Sequence, residues 1–183
     1  MSNIEALGPD AEVLGGAING FVGAVNSENI IPYLEQVGMT HIDPDAWYPK
    51  QMYIDLWNII LQDSHSSMMD FVSIGMTIAE TAWPAELDGQ PFEDILLGWG
   101  EQFDVVNRGE DRGYVRPEKL GPNAYALAIR TPDPDDLHYG IVYGVCKRFL
   151  PHGVHFKVAY DDATPRRDFG GDETVILITW DEA

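Results

Sequence analysis

The chain has 183 residues, 45% of them hydrophobic and 22% charged, which is the length and balance of one ordered globular domain. Its 30 Asp and Glu oppose 11 Lys and Arg, a formal charge of −19, so no basic stripe exists to neutralise nucleic-acid phosphates or anionic lipid. The acidity is uneven: up to Asn107 there are 17 acidic residues and a single basic one, Lys50, whereas from Arg108 onward 13 acidic residues face 10 basic ones.

The first part reads as helices. Ala11 to Val25 carries Val13, Leu14, Ile18, Phe21, Val22 and Val25 close to a helical stripe. Ser27 reads as an N-cap, Ile30, Ile31, Leu34 and Val37 share a face, and Gly38 is a stop. Asp43-Pro44-Asp45 is a turn. Helices then run from Pro49 to Gln62, from Ser66 to Thr81 and from Phe92 to Val106, with a loop from Pro84 to Pro91. Beyond Arg108 the period changes to alternation. Tyr114–Leu120 is a strand that Pro117 demotes to an edge, and Gly121-Pro122-Asn123 is a turn. Ala124–Arg130 is a strand with Tyr125, Leu127 and Ile129 on one face and alanines on the other. A helix from Asp133 to Leu150 follows, with strands from Val154 to Tyr160 and from Thr174 to Trp180. The fold class is therefore α+β within residues 1–183: a helical layer of about five helices (1–107), followed by a ββαββ unit with an antiparallel sheet (108–183).

The chemistry-bearing residues assemble no catalytic set. Cys146 is the only cysteine, in an apolar setting, which excludes disulfides within the chain and Cys-based zinc sites. Met1–Asp10 lacks the positive charge and apolar run of a signal peptide, and no segment reaches the about 20 apolar residues of a membrane span, so a cytoplasmic protein without membrane insertion is expected. Ser64-His65-Ser66-Ser67 sets hydroxyls beside an imidazole without a nucleophile elbow, and reads as a solvated helix start. His152 and His155 fall in a turn entering a strand, which sends them to opposite faces. In Asp133-Pro134-Asp135-Asp136, Asp133 reads as an N-cap, Pro134 as the first helical residue and the next two acids as complements to the helix dipole. The competing reading, metal-dependent chemistry with His138 as a fourth ligand, requires these side chains to converge. Capping explains every residue of the cluster except His138. Gly140 and Gly144 clear one stripe of their helix for close packing, by default against the sheet.

The second half also resembles a known superfamily. Leu127 to Leu137, the following His138-Tyr139-Gly140-Ile141-Val142-Tyr143-Gly144 step, the strand from Val154 and the last strand through Trp180 resemble the haem-nitric-oxide-binding (H-NOX) domains, 4-vinyl-reductase-type domains and transport-particle subunits. The resemblance spans about Tyr114 to Trp180, is a pattern of fold, and implies binding of a tetrapyrrole or another hydrophobic small molecule, or a protein-interaction role. The functional residues depart from it. Phe92–Val106 holds no histidine where haem-binding members carry their ligand, Ile129-Arg130-Thr131-Pro132-Asp133 replaces their Tyr-x-Ser-x-Arg pattern, and Tyr160–Thr174 lacks the cysteine pair of vinyl-reductase-type domains. Haem or another tetrapyrrole thus enters as a cofactor through the resemblance alone.

The expectation is a non-enzymatic small-molecule-binding or sensory domain. Its apolar pocket lies between helices and the Ala-rich strand face, and Trp57, Met76, Trp99, Phe103 and Tyr139 are its candidate lining. No residue is assigned to catalysis or metal binding. The alternative is a protein-interaction module, a homodimer or adaptor without a ligand. The bases that begin at Arg108 (Arg108, Arg112, Arg116, Lys119, Arg130) are expected to partner the acidic helical layer, within or between chains.

Overall fold

The computed structural model describes residues 4–25, 27–63 and 70–181. A short strand, β1 (Glu12–Leu14), runs directly into α1 (Gly15–Ala24), so the first helix begins at Gly15 rather than at Ala11. The cause is long-range pairing. β1 lies antiparallel between β2 (Trp47–Pro49) and β3 (Asn107–Arg108), in a small sheet that local periodicity cannot reveal. α2 (Ser27–Gln36) is followed by Gly38 at φ +73°, the left-handed stop that its position suggests. It buries Ile30 and Leu34 but leaves Ile31 49% exposed, off the assigned face. The Asp43 turn forms as read, with the Asp45 and Ala46 N–H groups donating to the Asp43 carboxylate and carbonyl at 3.0 and 3.2 Å.

α3 (Lys50–Gln62) and α4 (Phe71–Thr81) follow. Asp70 caps α4 by accepting the Ser73 N–H at 3.1 Å. The expected start at Ser66, the Ser64–Ser67 cluster, Met68 and Met69 lie outside the described residues. The single helix expected over Phe92–Val106 is two, α5 (Phe92–Leu97) and α6 (Trp99–Val106), divided at Gly98. Glycine is a weak helix former, and the break lets α6 press on the sheet: a Cβ at Gly100 would stand 2.8 Å from the Val115 carbonyl oxygen.

The remainder forms the ββαββ unit: β4 (Tyr114–Gly121), β5 (Ala124–Arg130), α7 (Asp135–Phe149), β6 (Phe156–Tyr160) and β7 (Thr174–Trp180). The sheet is antiparallel throughout in the order β4-β5-β7-β6, with Pro117 on the edge strand as expected. Tyr125, Leu127 and Ile129 pack with Ile176 and Ile178 against Val142, Val145 and Cys146 of α7. The alanines of β5 must then point the other way, to the face where Arg116, Glu118 and Lys157 are exposed. The Ala-rich face is therefore the outer face of the sheet, and the helices do not lie over it. Burial pushes the Cys146 thiol up to about 12, consistent with an inert core residue.

α7 joins two apolar cores. Its Leu137 and Ile141 enter the helical cluster of Ile18, Phe21, Ile30, Leu56, Trp57 and Ile60, while Val142, Val145 and Cys146 enter the sheet cluster. Its glycine stripe lies against α4, not against the sheet: a Cβ at Gly140 would stand 2.2 Å from the Val72 carbonyl oxygen, and one at Gly144 2.7 Å from Ala79 Cβ. Surface ion pairs that join the uneven charges across the division at Arg108 include Arg108–Glu12, Arg112–Asp104 at 2.8 Å, Lys119–Glu93 and Arg148–Asp88 at 2.7 Å. Arg130 instead pairs with Asp111 at 2.6 Å and Arg116 stacks on Tyr114. Exposed pairs contribute about 0–1 kcal/mol each, so these orient the layers more than they hold them. Among the described residues, no helix is long and apolar enough to cross a membrane.

Candidate functional site

The only basic residue of the first 107 does not face solvent. Lys50 opens α3 directly after β2, its N–H donating to the Ala11 carbonyl at 2.7 Å, and its side chain is 5% exposed. The ammonium donates to Asn107 Oδ1 at 3.2 Å and to Asp133 Oδ2 at 3.5 Å, and lies 5.2 Å from the centroid of the Tyr53 ring. Asn107 is itself oriented by donating to the Phe103 carbonyl at 3.0 Å. Asp133 arrives from the buried segment between β5 and α7, which Arg167 ties down through the Thr131 carbonyl.

Asp133 is thus no helix cap. Pro134 occupies the cap position, α7 starts at Asp135, and the Asp133 carboxylate turns inward to Lys50. The buried counter-charge, which lies far away in sequence, outweighs the local preference for capping. Burial works against ionisation of Asp133, but Lys50, then His138, overcomes it and holds the carboxyl below the usual carboxylate range. Its Oδ1 is a buried acceptor without a hydrogen-bond partner among the described residues. His138, the residue that capping left unexplained, sits at 14% exposure, with Nε2 2.6 Å from Thr131 Oγ1 and 3.8 Å from Asp133 Oδ2.

The other acids diverge. Asp135 accepts from the Thr174 hydroxyl and from the Asp168 N–H at 3.0 Å. Asp136 accepts from Tyr160 at 2.8 Å and Arg166 at 3.2 Å. Among the described residues, no group of three or more His, Cys, Asp or Glu is disposed to hold a metal ion, so the convergence that metal-dependent chemistry requires does not occur.

Above this polar floor is a cavity of ≈ 430 Å³ between the two cores, within the range of small-molecule sites. Its walls are apolar, contributed chiefly by Phe21, Ile78, Trp83, Trp99, Phe103 and Ile141, and Lys50, Tyr53, Asn107, Asp133 and His138 supply polar groups. Trp83 and Trp99 meet edge to face at 4.7 Å. Among the described residues, the strands that reach the lining are β1, β3 and β4, through Val13, Asn107 and Val115, so the cavity lies mainly among helices. Of the residues singled out from sequence, Trp99 and Phe103 stand in the lining. Trp57 is fully buried against Phe21 and Tyr53, Met76 backs onto Gly144 between α4 and α7, and Tyr139 donates to the Val158 carbonyl at 3.0 Å. The polar floor escaped the sequence reading. Its one signal was the isolation of Lys50 among 17 acids.

Burial, the largest influence on His138, holds its imidazole below the ordinary range against the opposing pull of Asp133 and Asp135, with Lys50 and Arg167 adding to the depression. The unfolded chain, with histidine near 6.5, then takes up the proton first, so stability falls as pH drops below about 6.5. Urea midpoints between about pH 7.5 and about 5.5 check this. The parent should lose stability across that window, and His138→Gln, which keeps a partner for Thr131, should lose less; parallel slopes would remove His138 from the pH response.

No protein-family model matches the chain, and no curated protein matches it significantly. Solved structures do. An oxygen-binding H-NOX domain related to soluble guanylate cyclases superimposes with a TM-score of 0.64 at 13% identity, over 92% of this chain and 93% of that one. A Cs H-NOX variant carrying 4-cyano-L-phenylalanine gives 0.67 at 13% identity over 92% and 97%, and a point variant of T. tengcongensis H-NOX gives 0.61 at 13% identity over 92% and 95%. The fold is H-NOX-like.

Haem, whose distortion is the subject of a further matching structure from the H-NOX family, does not fit the lining. Among the described residues His138 is its one histidine, and Thr131 engages its Nε2. Lys50 is paired with Asp133, while burial first, then Asp133, keeps the Tyr53 hydroxyl protonated. Cys146 faces the sheet core. Among the described residues, the lining thus offers no cysteine and no histidine Nε2 free for iron, and its lysine is already paired with Asp133 before any haem propionate could claim it.

Proposed function

We propose that the chain is a non-enzymatic, cytoplasmic small-molecule-binding domain of sensory type, whose ligand occupies the cavity between the helical core and the sheet core. The observation that carries this reading is the cavity itself: ≈ 430 Å³ of apolar space above a few convergent polar groups, the usual composition of a ligand site. The H-NOX-like fold supports it by analogy, since one such neighbour is an oxygen-binding domain. Trp99 and Phe103 are the proposed contacts from α6, with Trp83 facing them. The alternative, a dimerisation module without a ligand, does not call for such a chamber.

Native mass spectrometry and an absorption spectrum of freshly purified protein test the reading together. The expected result is a protein that carries or takes up a small organic molecule and has no haem absorption band. A protein that never takes up a ligand, and whose melting temperature no apolar compound raises, would overturn it.

A further inference from the structure

We propose that the cavity selects an uncharged aromatic molecule bearing a hydrogen-bond donor, such as a hydroxyl or ring N–H, which Asp133 at the cavity floor recognises. This rests on the reading of the cavity as a ligand site and narrows its ligand class. Three observations lead to it. The walls, Trp83, Trp99 and Phe103 among them, suit a flat apolar body. The floor is electrically closed, because Lys50 and Asp133 pair at 3.5 Å and the depressed His138 is neutral near pH 7. A ligand carboxylate would meet Asp133 beside Lys50, and a ligand ammonium would meet Lys50 beside Asp133, so neither ion gains a free counter-charge to offset its desolvation. Finally, Asp133 Oδ1 is buried without a hydrogen-bond partner among the described residues. An orphaned carboxylate oxygen in a lining residue calls for a donor, and buried acceptors are otherwise satisfied. A ligand lacking that donor leaves the oxygen unpaired.

Four two-ring probes of matched shape separate the outcomes: 2-naphthol, 2-methoxynaphthalene, 2-naphthoate and 2-naphthylmethylammonium, titrated by calorimetry into the full-length protein near neutral pH. The expected result is that 2-naphthol binds at least about tenfold more tightly than each of the others, the scale of one hydrogen bond to a charged group. In Lys50→Gln/Asp133→Asn, which keeps the shape of the floor without its charges, the preference over 2-methoxynaphthalene should fall towards unity. Equal binding of 2-naphthol and 2-methoxynaphthalene by the parent protein, or tightest binding of either ion, would overturn the donor inference while leaving the cavity a ligand site. Binding of none of the four would overturn both. The parent comparison decides the matter even if the double variant fails to fold.

Discussion

Gly140→Ala will lower the unfolding free energy by about 3 kcal/mol, the upper end for overpacking a dense interior. A Cβ there would stand 2.2 Å from the Val72 carbonyl oxygen and 2.8 Å from its carbonyl carbon, so the obstacle is backbone, which cannot swing aside as a side-chain tip would. The approach is mutual. A Cβ on Gly75 of α4 would stand 2.3 Å from the Leu137 carbonyl oxygen and 2.7 Å from the Ile141 N. To admit a methyl group, α4 and α7 must separate, and α7 also carries Leu137, His138 and Ile141 of the cavity lining. The damage should therefore reach the site as well as the core. Gly23→Ala is the matched control: it lies in α1 with no heavy atom near its Cβ position, and should be neutral or stabilising by up to about 1 kcal/mol. Urea unfolding of both variants checks the pair. Equal midpoints would mean that the helices are not held at glycine distance.

Lys50→Met should cost about 3–5 kcal/mol, because it leaves the Asp133 carboxylate buried without its counter-charge. Adding Asp133→Leu should recover most of that loss, since replacing both members of a buried ion pair with apolar residues is often neutral. The pH response distinguishes the variants. In the parent, Asp133 titrates below its unfolded value, so its contribution is present above about pH 3.9 and is lost as pH falls through the lower folded value. Without Lys50, burial dominates and the folded carboxyl rises instead. Lys50→Met should then gain stability relative to the parent as the solution is acidified, and the double variant should show neither trend. Thermal melts from about pH 7 to about pH 2.5 cover both trends. A Lys50→Met protein as stable as the parent at neutral pH would show that the pair is not buried.

The sheet unit was legible because its signals are local. Alternation in Ala124–Arg130, a proline on the edge strand and a turn at Gly121-Pro122-Asn123 need no distant partner to be read. The small sheet was not legible, since Glu12–Leu14 and Asn107–Arg108 become strands only by meeting each other. The same limit hid the site floor. Capping explained Asp133 from its neighbours alone, whereas its actual partner, Lys50, comes from the opposite half of the chain. Trp99 and Phe103 reached the candidate lining because helical aromatics are easy to find, but the same reasoning also selected Trp57, which packs inside the helical core. Burial of an aromatic can be inferred from its periodicity; whether it borders a core or a cavity depends on how two cores fit together.

The five tryptophans make the most direct test of the cavity as the ligand site. Trp83 and Trp99 line it, whereas Trp47 lies under Arg108 in the small sheet and Trp180 stacks on Tyr125 at the sheet. In ¹⁵N-labelled protein each indole N–H gives its own resonance. Titration with 2-naphthol should shift those of Trp83 and Trp99 in a saturable way and leave those of Trp47 and Trp180 in place. Saturable shifts confined to Trp47 or Trp180, or no shift at any indole, would contradict a ligand site between the two cores.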